Sequence, residues 1–255
     1  MNKIEQLSNW DLKEKDGIKY FQLKLEQEKI QCMVITSVGG LCFPSENPDL
    51  LKDNLKQVER IFEIKQVNIL KQTHSDRSYY MPEDFKFNYS LDGDGLYTDK
   101  ANVFMGVRIA DCLPIFLFNQ TRRIIGIVHS GWKGTLQEIS KKMLLTMRAR
   151  FNLKPVDISF AFGPSIGQCC YEINNDLARV FAEFTRIRNI RGAVKEQDDN
   201  FYLNLKLLNQ KILENNGLRN KGILNLCSFC EKDLLYSSRR KDVNKRNLAI
   251  IGYRE

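Results

Sequence analysis

The chain has 255 residues, of which 43% are hydrophobic and 27% charged, so it is long enough to bury a substantial core. It has no run of about 20 apolar residues, no apolar N-terminal segment and an odd number of cysteines, which predicts a cytoplasmic protein without membrane contacts or a disulfide framework. No nucleic-acid-binding motif accompanies the net charge of +8, so we expect no nucleic-acid partner, and a basic face or a pocket for a phosphate-bearing small molecule explains the charge.

The first half of the chain predicts short strands around one helix. Alternating apolar and polar residues indicate two paired strands within 18–37, and helical spacing indicates a helix over 49–62 with Asp49 as its N-cap. A short strand, VNIL, then leads to His74, and the polar segment 76–90 predicts an excursion over the surface. The acidic loop LDGDGLYTD follows, but it lacks the glutamate that an EF-hand calcium site requires.

The second half of the chain is richer in helices. Apolar spacing predicts helices over 133–151, 174–186 and 203–216, with a polar loop over 188–200. The segments VDISFAF, GILNL and LAIIGY predict buried strands. Strands and helices alternate irregularly, which favours an α+β fold (a mixed α/β sandwich), with one domain over 1–255 in which helices pack outside mixed β-sheets.

The stretch 108–135 carries the side chains best suited to chemistry. It predicts two buried strands, of which the first offers Asp111 and Cys112 and the second ends at His129 before a glycine-rich corner. The only other histidine in the chain, His74, also follows a short apolar run. Two histidines and a cysteine at the ends of apolar runs predict one shared site.

These three side chains suit a zinc ion, because a catalytic zinc site uses three protein ligands and keeps a position for water. The same residues support a metal-free alternative, in which Cys112 is a nucleophile, a histidine is the base, and Asp111 or Asp94 orients it. A further alternative gives Cys112 and the histidines structural roles in the core. Two histidines are too few for a multicopper centre, so copper is the less favoured metal.

The corner HSGWKGT offers a place for an anion. Gly131 and Gly134 allow the backbone to approach a ligand, and Lys133 with the amides of the predicted helix would supply positive charge. A plain strand-to-helix turn is the alternative.

The pairs Cys169-Cys170 and Cys227-x-x-Cys230 are a weaker signal. No second C-x-x-C motif or nearby histidine completes a zinc knuckle around either pair, so packing or local reactivity is the favoured interpretation.

Several motifs, in order, resemble those of the bacterial laccase-domain or polyphenol oxidase family, which includes peptidoglycan editing factors and purine nucleoside phosphorylases with a laccase-like domain. The most specific are QTH (72–74), ADCLP (110–114) and HSGWKG (129–134), followed by GPSIG (163–167) and the tail YSSRR. The resemblance covers roughly residues 30–250. It implies a single α/β sandwich of mixed sheets.

The resemblance also implies a zinc site formed by His74, Cys112 and His129. It implies phosphorolysis of adenosine, inosine and methylthioadenosine, and deamination of adenosine. Older labels of the family imply copper-dependent phenol oxidation. A metal-free cysteine hydrolase or amidase that edits a peptidoglycan precursor is the alternative. We expect a monomer whose partners are a purine nucleoside and phosphate.

Phosphorolysis requires groups that hold phosphate beside the ribose. The candidate groups are Lys133, Gly131, Arg239 and Arg240. Asp111 is the candidate for proton transfer during deamination. The sequence departs from the family at Ser37, where a T-x-R motif has arginine, and its late G-R pair appears as Lys245-Arg246. These departures predict weaker phosphorolysis, or phosphate binding by other basic residues.

Overall fold

Strands make up most of the regular structure. The structure is a computed structural model that describes residues 9–26, 29–83 and 91–255. Its strands are β1 (Trp10–Lys15), β2 (Ile18–Leu23), β3 (Ile30–Ile35), β4 (Val67–Asn68), β5 (Ser78–Tyr80), β6 (Gly95–Thr98), β7 (Phe104–Ile109), β8 (Leu113–Asn119), β9 (Ile124–Ser130), β10 (Ser159–Phe162), β11 (Glu172–Ile173), β12 (Val194–Gln197), β13 (Asn200–Leu203), β14 (Arg219–Ile223) and β15 (Asn247–Tyr253). Its α-helices are α1 (Pro48–Ile61), α2 (Trp132–Leu136), α3 (Ile139–Phe151), α4 (Asn175–Ile187) and α5 (Leu205–Asn215).

Two six-stranded sheets share one apolar core. The first has the order β1-β2-β3-β15-β7-β4 and the second the order β14-β10-β8-β9-β6-β5, while β11, β13 and β12 form a small third sheet. A single buried cluster joins Phe21 and Val107 of the first sheet to Phe116 and Ile127 of the second. The two large sheets therefore stack as the predicted sandwich, and the mixed α+β fold is confirmed.

Helices cover the outer face of each large sheet. The apolar side of α1 packs on alternate residues of the first sheet, among them Met33 and Ile35. Met143 of α3 and Leu213 of α5 pack against the second sheet. Because β8 is buried on both faces, its sequence is continuously apolar rather than alternating.

Two hairpins lie where the sequence analysis predicted none. β1 pairs with β2 across Asp16-Gly17, and β12 pairs with β13 across Asp198-Asp199, and the two central residues of each turn have positive φ. Positive φ at both central positions is the geometry of a type I′ hairpin turn, which Asp and Gly adopt at low cost. The polar segment 188–200 therefore contains β12 rather than forming only a loop.

The predicted helix over 133–151 is divided into α2 and α3. Glu138 between them has φ of 53°, in the left-handed region, and its carboxylate accepts two hydrogen bonds from Arg188. The backbone cannot continue an α-helix through a left-handed residue. The helix N-terminus that was predicted to bind an anion is therefore that of α2, which has only five residues.

The N-cap of α1 is Asn47 rather than the predicted Asp49. The side chain of Asn47 accepts a hydrogen bond from the backbone N–H of Leu50, and Pro48 occupies the first helical position. Asp49 lies in the first turn, where its negative charge interacts favourably with the positive end of the helix dipole.

Some predictions fall on residues outside the described ranges. The predicted surface excursion over 76–90 contains β5, and its part from residue 84 onward is not described. Residues 1–8, where the sequence has no apolar segment, also lie outside the described ranges. So do residues 27–28, between β2 and β3. Across the ranges that the structure does describe, no helix has both the length and the apolar character needed to cross a membrane.

Candidate active site

The candidate catalytic residues meet at one end of the second sheet. Pro114 of β8 pairs with His129 of β9, so Cys112, just before β8, lies beside the end of β9. His74 follows β4 on a loop, and Asp94 directly precedes β6. The backbone N–H of His129 donates to the carbonyl of Asp94. Antiparallel pairing thus brings together Asp94, Cys112 and His129, and the backbone N–H of His74 donates to the Asp94 carboxylate.

Asp111 lies where the chain crosses from the first sheet to the second. The sequence predicted one strand through this point, but β7 and β8 are separate strands in different sheets, and Asp111 between them has φ of 88°. Its carboxylate accepts hydrogen bonds from the Ser228 hydroxyl at 2.6 Å and from the Arg239 backbone N–H at 2.7 Å. These bonds fix the crossover and direct Cys112 into the site.

His74, Cys112 and His129 form a compact donor trio. One ligand atom from each residue lies within 4.8 Å of the other two. The Cys112 Sγ is 3.9 Å from Nε2 of His74, and the two imidazole rings are 5.0 Å apart between centroids at an angle of 70°. The structure therefore brings together the three residues that the sequence analysis grouped.

Asp94 holds this trio in place through hydrogen bonds to its carboxylate. Its side chain has 0% exposure, and its carboxylate accepts a 2.8 Å hydrogen bond from Nδ1 of His129. It also accepts the backbone N–H groups of Thr73, His74 and Ser75, and the Ser75 hydroxyl. One carboxylate thus fixes the ring of one histidine and the backbone of the other. Because it accepts the Nδ1 proton of His129, Nε2 is the nitrogen of that ring that a ligand could use once the ring is neutral.

The protonation states follow from this arrangement. Burial alone would raise the pKa of Asp94, but the hydrogen bond and charge of His129 hold it below its usual value. Burial would also raise the pKa of Cys112, yet the two histidines lower it to about 6. Burial would lower the pKa of His129, which the Cys112 sulfur and Asp94 raise to about 9. Cys112 is therefore held as a thiolate at neutral pH, the form that binds metals and acts as a nucleophile.

Gly131 is required at the site because there is no room for a side chain. A Cβ atom on this residue would lie 2.8 Å from the Cys112 Sγ and 3.4 Å from a ring carbon of His74. The sequence indicated Gly131 as a point of close approach to a ligand, and the structure places it against the donor trio.

A cavity of about 520 Å³ opens onto the trio. A volume of this size is typical of small-molecule sites. Among the residues that the structure describes, its lining contains four cationic side chains and one carboxylate, that of Asp111. The cations are Arg108, Arg239, Lys241 and Arg246. A cavity with this excess of positive charge suits an anionic ligand.

The basic residues predicted to bind phosphate separate into different environments. Arg239 lines the cavity, and its guanidinium donates to the Glu172 carbonyl at 2.9 Å. The guanidinium of Arg240 instead donates to three backbone carbonyls and pairs with Asp242. Lys133 is exposed, with its ammonium over the ring of the neighbouring tryptophan, and it does not line the cavity.

Several cavity residues were missed in the sequence analysis. Gln72 and Arg108 line the cavity together, and the Gln72 side chain exchanges hydrogen bonds with the backbone N–H and carbonyl of Arg108. Their positions were an available signal, since Gln72 lies two residues before His74 and Arg108 four residues before Cys112. Arg246, by contrast, was already named in the pair Lys245-Arg246.

Comparisons with known proteins identify the family of the chain. Residues 41–254 match the family described as multi-copper polyphenol oxidoreductase laccase. The chain belongs to this laccase-like family. A purine nucleoside phosphorylase of Clostridium acetobutylicum is 34% identical over 224 residues, which are 88% of this chain and 91% of that protein. An adenosine deaminase from an unknown prokaryotic organism is 30% identical over 194 residues, covering 72% of this chain and 74% of that protein.

Solved structures of similar proteins share the fold. The crystal structure of the hypothetical protein YfiH from Bacillus licheniformis has a TM-score of 0.82 and 26% identity, covering 96% of this chain and 99% of the other. The structure of YlmD from Geobacillus stearothermophilus has a TM-score of 0.84 at 24% identity, with the same coverage. The predicted family and its fold are therefore confirmed.

The donor set of this laccase-like chain fits one ion. A thiolate and two imidazoles are ligands that zinc accepts, and three protein ligands leave a position open. The family description mentions several copper ions, but the chain contains two histidines, and both belong to the trio. Multicopper centres need many more imidazoles. The trio can therefore hold a single metal ion. Asp94 lies outside the ligand set and orients the His129 ring.

Proposed function

We propose that the chain is a zinc-dependent purine nucleoside enzyme. It would cleave adenosine, inosine and methylthioadenosine with phosphate, and it would deaminate adenosine. One observation carries the proposal: the trio of His74, Cys112 and His129 shares a cavity of about 520 Å³ with four cationic side chains. A metal site suits the deamination, an anion site suits the phosphorolysis, and one cavity contains both. The names of the relatives support the substrate class.

A zinc ion held by the trio would supply a Lewis acid and lower the pKa of a bound water. Deamination requires a water oxygen to bond to C6 of adenine and ammonia to leave, so a proton must pass to the leaving nitrogen. Asp111 lines the cavity and is the candidate carrier of that proton. Asp94 would hold the proton on Nδ1 of His129, so Nε2 would be the atom of that ring that binds the ion.

Phosphorolysis requires a phosphate oxygen to bond to C1′ of the ribose while the bond from C1′ to N9 breaks. The cavity cations would hold the phosphate and offset its charge. Ser37, which stands where the family has an arginine, does not line the cavity. Arg246, of the pair Lys245-Arg246, does line it. We infer that Arg246, Lys241 and Arg239 together form the phosphate subsite.

The proposal predicts two distinguishable products from adenosine. Purified protein with adenosine and phosphate is expected to release adenine and ribose 1-phosphate, while inosine forms whether or not phosphate is present. A metal chelator is expected to stop both reactions, and zinc to restore them. Chromatographic separation of adenine, inosine and hypoxanthine measures the outcome. If zinc-loaded protein releases none of these products from adenosine, and no hypoxanthine from inosine, the proposal is wrong.

A second candidate is a metal-free cysteine hydrolase or amidase. It is favoured by the hydrogen bond from His129 to Asp94 and by the contact between His129 and the Cys112 sulfur, an arrangement that activates a nucleophile. For such an enzyme a chelator would leave turnover unchanged. Iodoacetamide would alkylate Cys112, and substrate would slow that reaction.

The phosphate subsite predicts an effect that is specific to Arg239. Arg239→Ala keeps the backbone N–H that binds Asp111 but loses the guanidinium, so the KM for phosphate is expected to rise about 10-fold to 100-fold. The rate of inosine formation without phosphate should change far less. Arg179→Ala is the matched control, because that arginine lies on α4 with 82% of its side chain exposed. Equal phosphate KM values for the two variants would exclude Arg239 from the subsite.

A further inference from the structure

Four cysteines outside the trio form a second cluster. Cys169 and Cys170 lie between β10 and β11, and Cys227 and Cys230 follow β14. Their four sulfur atoms all lie within 4.8 Å of one another. Cys169 and Cys230 are 61 residues apart in sequence, so only the folded chain brings the two pairs together.

The spacing of the sulfurs matches one tetrahedral ion. The Cys170 Sγ is 3.4 Å from that of Cys230 and 3.5 Å from that of Cys169, and the Cys169 Sγ is 3.9 Å from that of Cys230. Zinc binds thiolate sulfur at about 2.3 Å, so two sulfurs of a tetrahedral site lie about 3.8 Å apart. A disulfide would require about 2.05 Å.

Backbone N–H groups surround the sulfur of Cys227. The Gly167 N–H donates to it at 3.2 Å, and the N–H groups of Phe229 and Cys230 donate to it as well. A sulfur that accepts several N–H hydrogen bonds is stabilised as a thiolate, and amide donors of this kind support metal-bound cysteines. A Cβ on Gly167 would lie 3.1 Å from the Cys169 Sγ, so a glycine is suited to this position.

A buried lysine adjoins the cluster. Lys206 on α5 is 8% exposed, and its ammonium donates to the carbonyls of Leu226 at 3.0 Å and Ser165 at 3.4 Å. Burial lowers the pKa of Lys206, and negative charge on Cys227 or Cys169 would oppose that effect. A buried cation is costly unless an anion lies close to it. Four thiolates around one divalent cation carry a net charge of −2, which gives Lys206 an anionic neighbour.

We propose that Cys169, Cys170, Cys227 and Cys230 bind a structural zinc ion. Four protein ligands leave no open position, so this site serves structure, whereas the trio serves chemistry. The ion would join the loop that carries Tyr171, a cavity residue, to the loop that carries Ser228. The Ser228 hydroxyl holds Asp111. The motif Cys227-x-x-Cys230 supplies only two ligands for a zinc ion. The adjacent pair Cys169-Cys170 would supply the other two.

Metal analysis of cysteine variants tests this site independently of any activity. Protein purified with a reductant and without chelator is expected to contain about two zinc ions per chain. Cys112→Ala should retain about one, and Cys112→Ala combined with Cys230→Ser should retain about none. Cys42→Ser is the matched control, since Cys42 belongs to neither group, and it should keep both ions.

A second measurement covers the case in which the double variant does not fold. Cobalt added to metal-free Cys112→Ala should give the intense near-ultraviolet bands of thiolate-to-cobalt charge transfer. A folded Cys112→Ala protein without zinc and without these bands would overturn the proposal. A disulfide within the cluster in freshly reduced protein, or iron in place of zinc, would overturn it as well. None of these results bears on the nucleoside reactions assigned to the trio.

Discussion

Replacing Cys112 by alanine is expected to remove one metal ion per chain and to lower kcat/KM for adenosine by about 10³-fold, for phosphorolysis and deamination alike. The side chain supplies one of three donors, and it is the anionic one. Without it, two imidazoles remain, and the affinity for the ion falls. A catalytic metal supplies several kcal/mol of transition-state stabilisation, which corresponds to a loss of this size.

The fold should survive this change. Alanine fits wherever cysteine does, and the crossover at Asp111 is held by its own hydrogen bonds to Ser228 and Arg239. Metal content, kcat/KM and a thermal melt measure the three effects, with Cys42→Ala as the control for loss of a thiol elsewhere. A variant that keeps its full metal content but loses activity would favour Cys112 as a nucleophile. A variant that keeps activity would remove the trio from the chemistry.

The trio could be predicted because its signal is local. Each histidine and the cysteine adjoins an apolar run, and in a sandwich of antiparallel strands the ends of several strands meet at one edge. The four-cysteine cluster could not be predicted in this way. Its two pairs lie on loops, and the distance between loops depends on the packing of the whole chain. For the same reason, the sequence could not separate Arg239, which lines the cavity, from Arg240, which binds carbonyls beside it.

The fold was predictable where one face of an element sets its periodicity. α1, α4 and α5 followed from helical spacing, and the apolar strands β8, β9 and β15 from composition. The hairpins at β1 and β12 were missed because their strands carry many polar residues, and only the turn residues marked them. The break at Glu138 was missed because the ion pair with Arg188 that accompanies it lies 50 residues away. β15 lies between β3 and β7 in the first sheet. Its position could not be predicted either, because it depends on how distant parts of the chain pack together.

Replacing Asp94 by asparagine is expected to weaken metal binding about 10-fold to 100-fold and to lower the free energy of unfolding by about 3 kcal/mol. Both carboxylate oxygens accept hydrogen bonds: one from His129 and the backbone N–H of His74, the other from Ser75 and Thr73. An amide can present only one oxygen. In either orientation its NH₂ group would face donors, and one side of the site would lose its acceptor.

The matched control is Asp76→Asn, in the loop that carries His74. That carboxylate pairs with Lys142 at the surface, where an ion pair contributes at most about 1 kcal/mol, so metal affinity should be unchanged. Metal affinity by competition with a chromophoric chelator, and unfolding by denaturant, measure the two effects separately. If Asp94 served stability alone, Asp94→Asn would lower the unfolding free energy while the folded protein bound zinc as tightly as before. Loss of both together is expected, because the same carboxylate fixes the His129 ring and the backbone beneath His74.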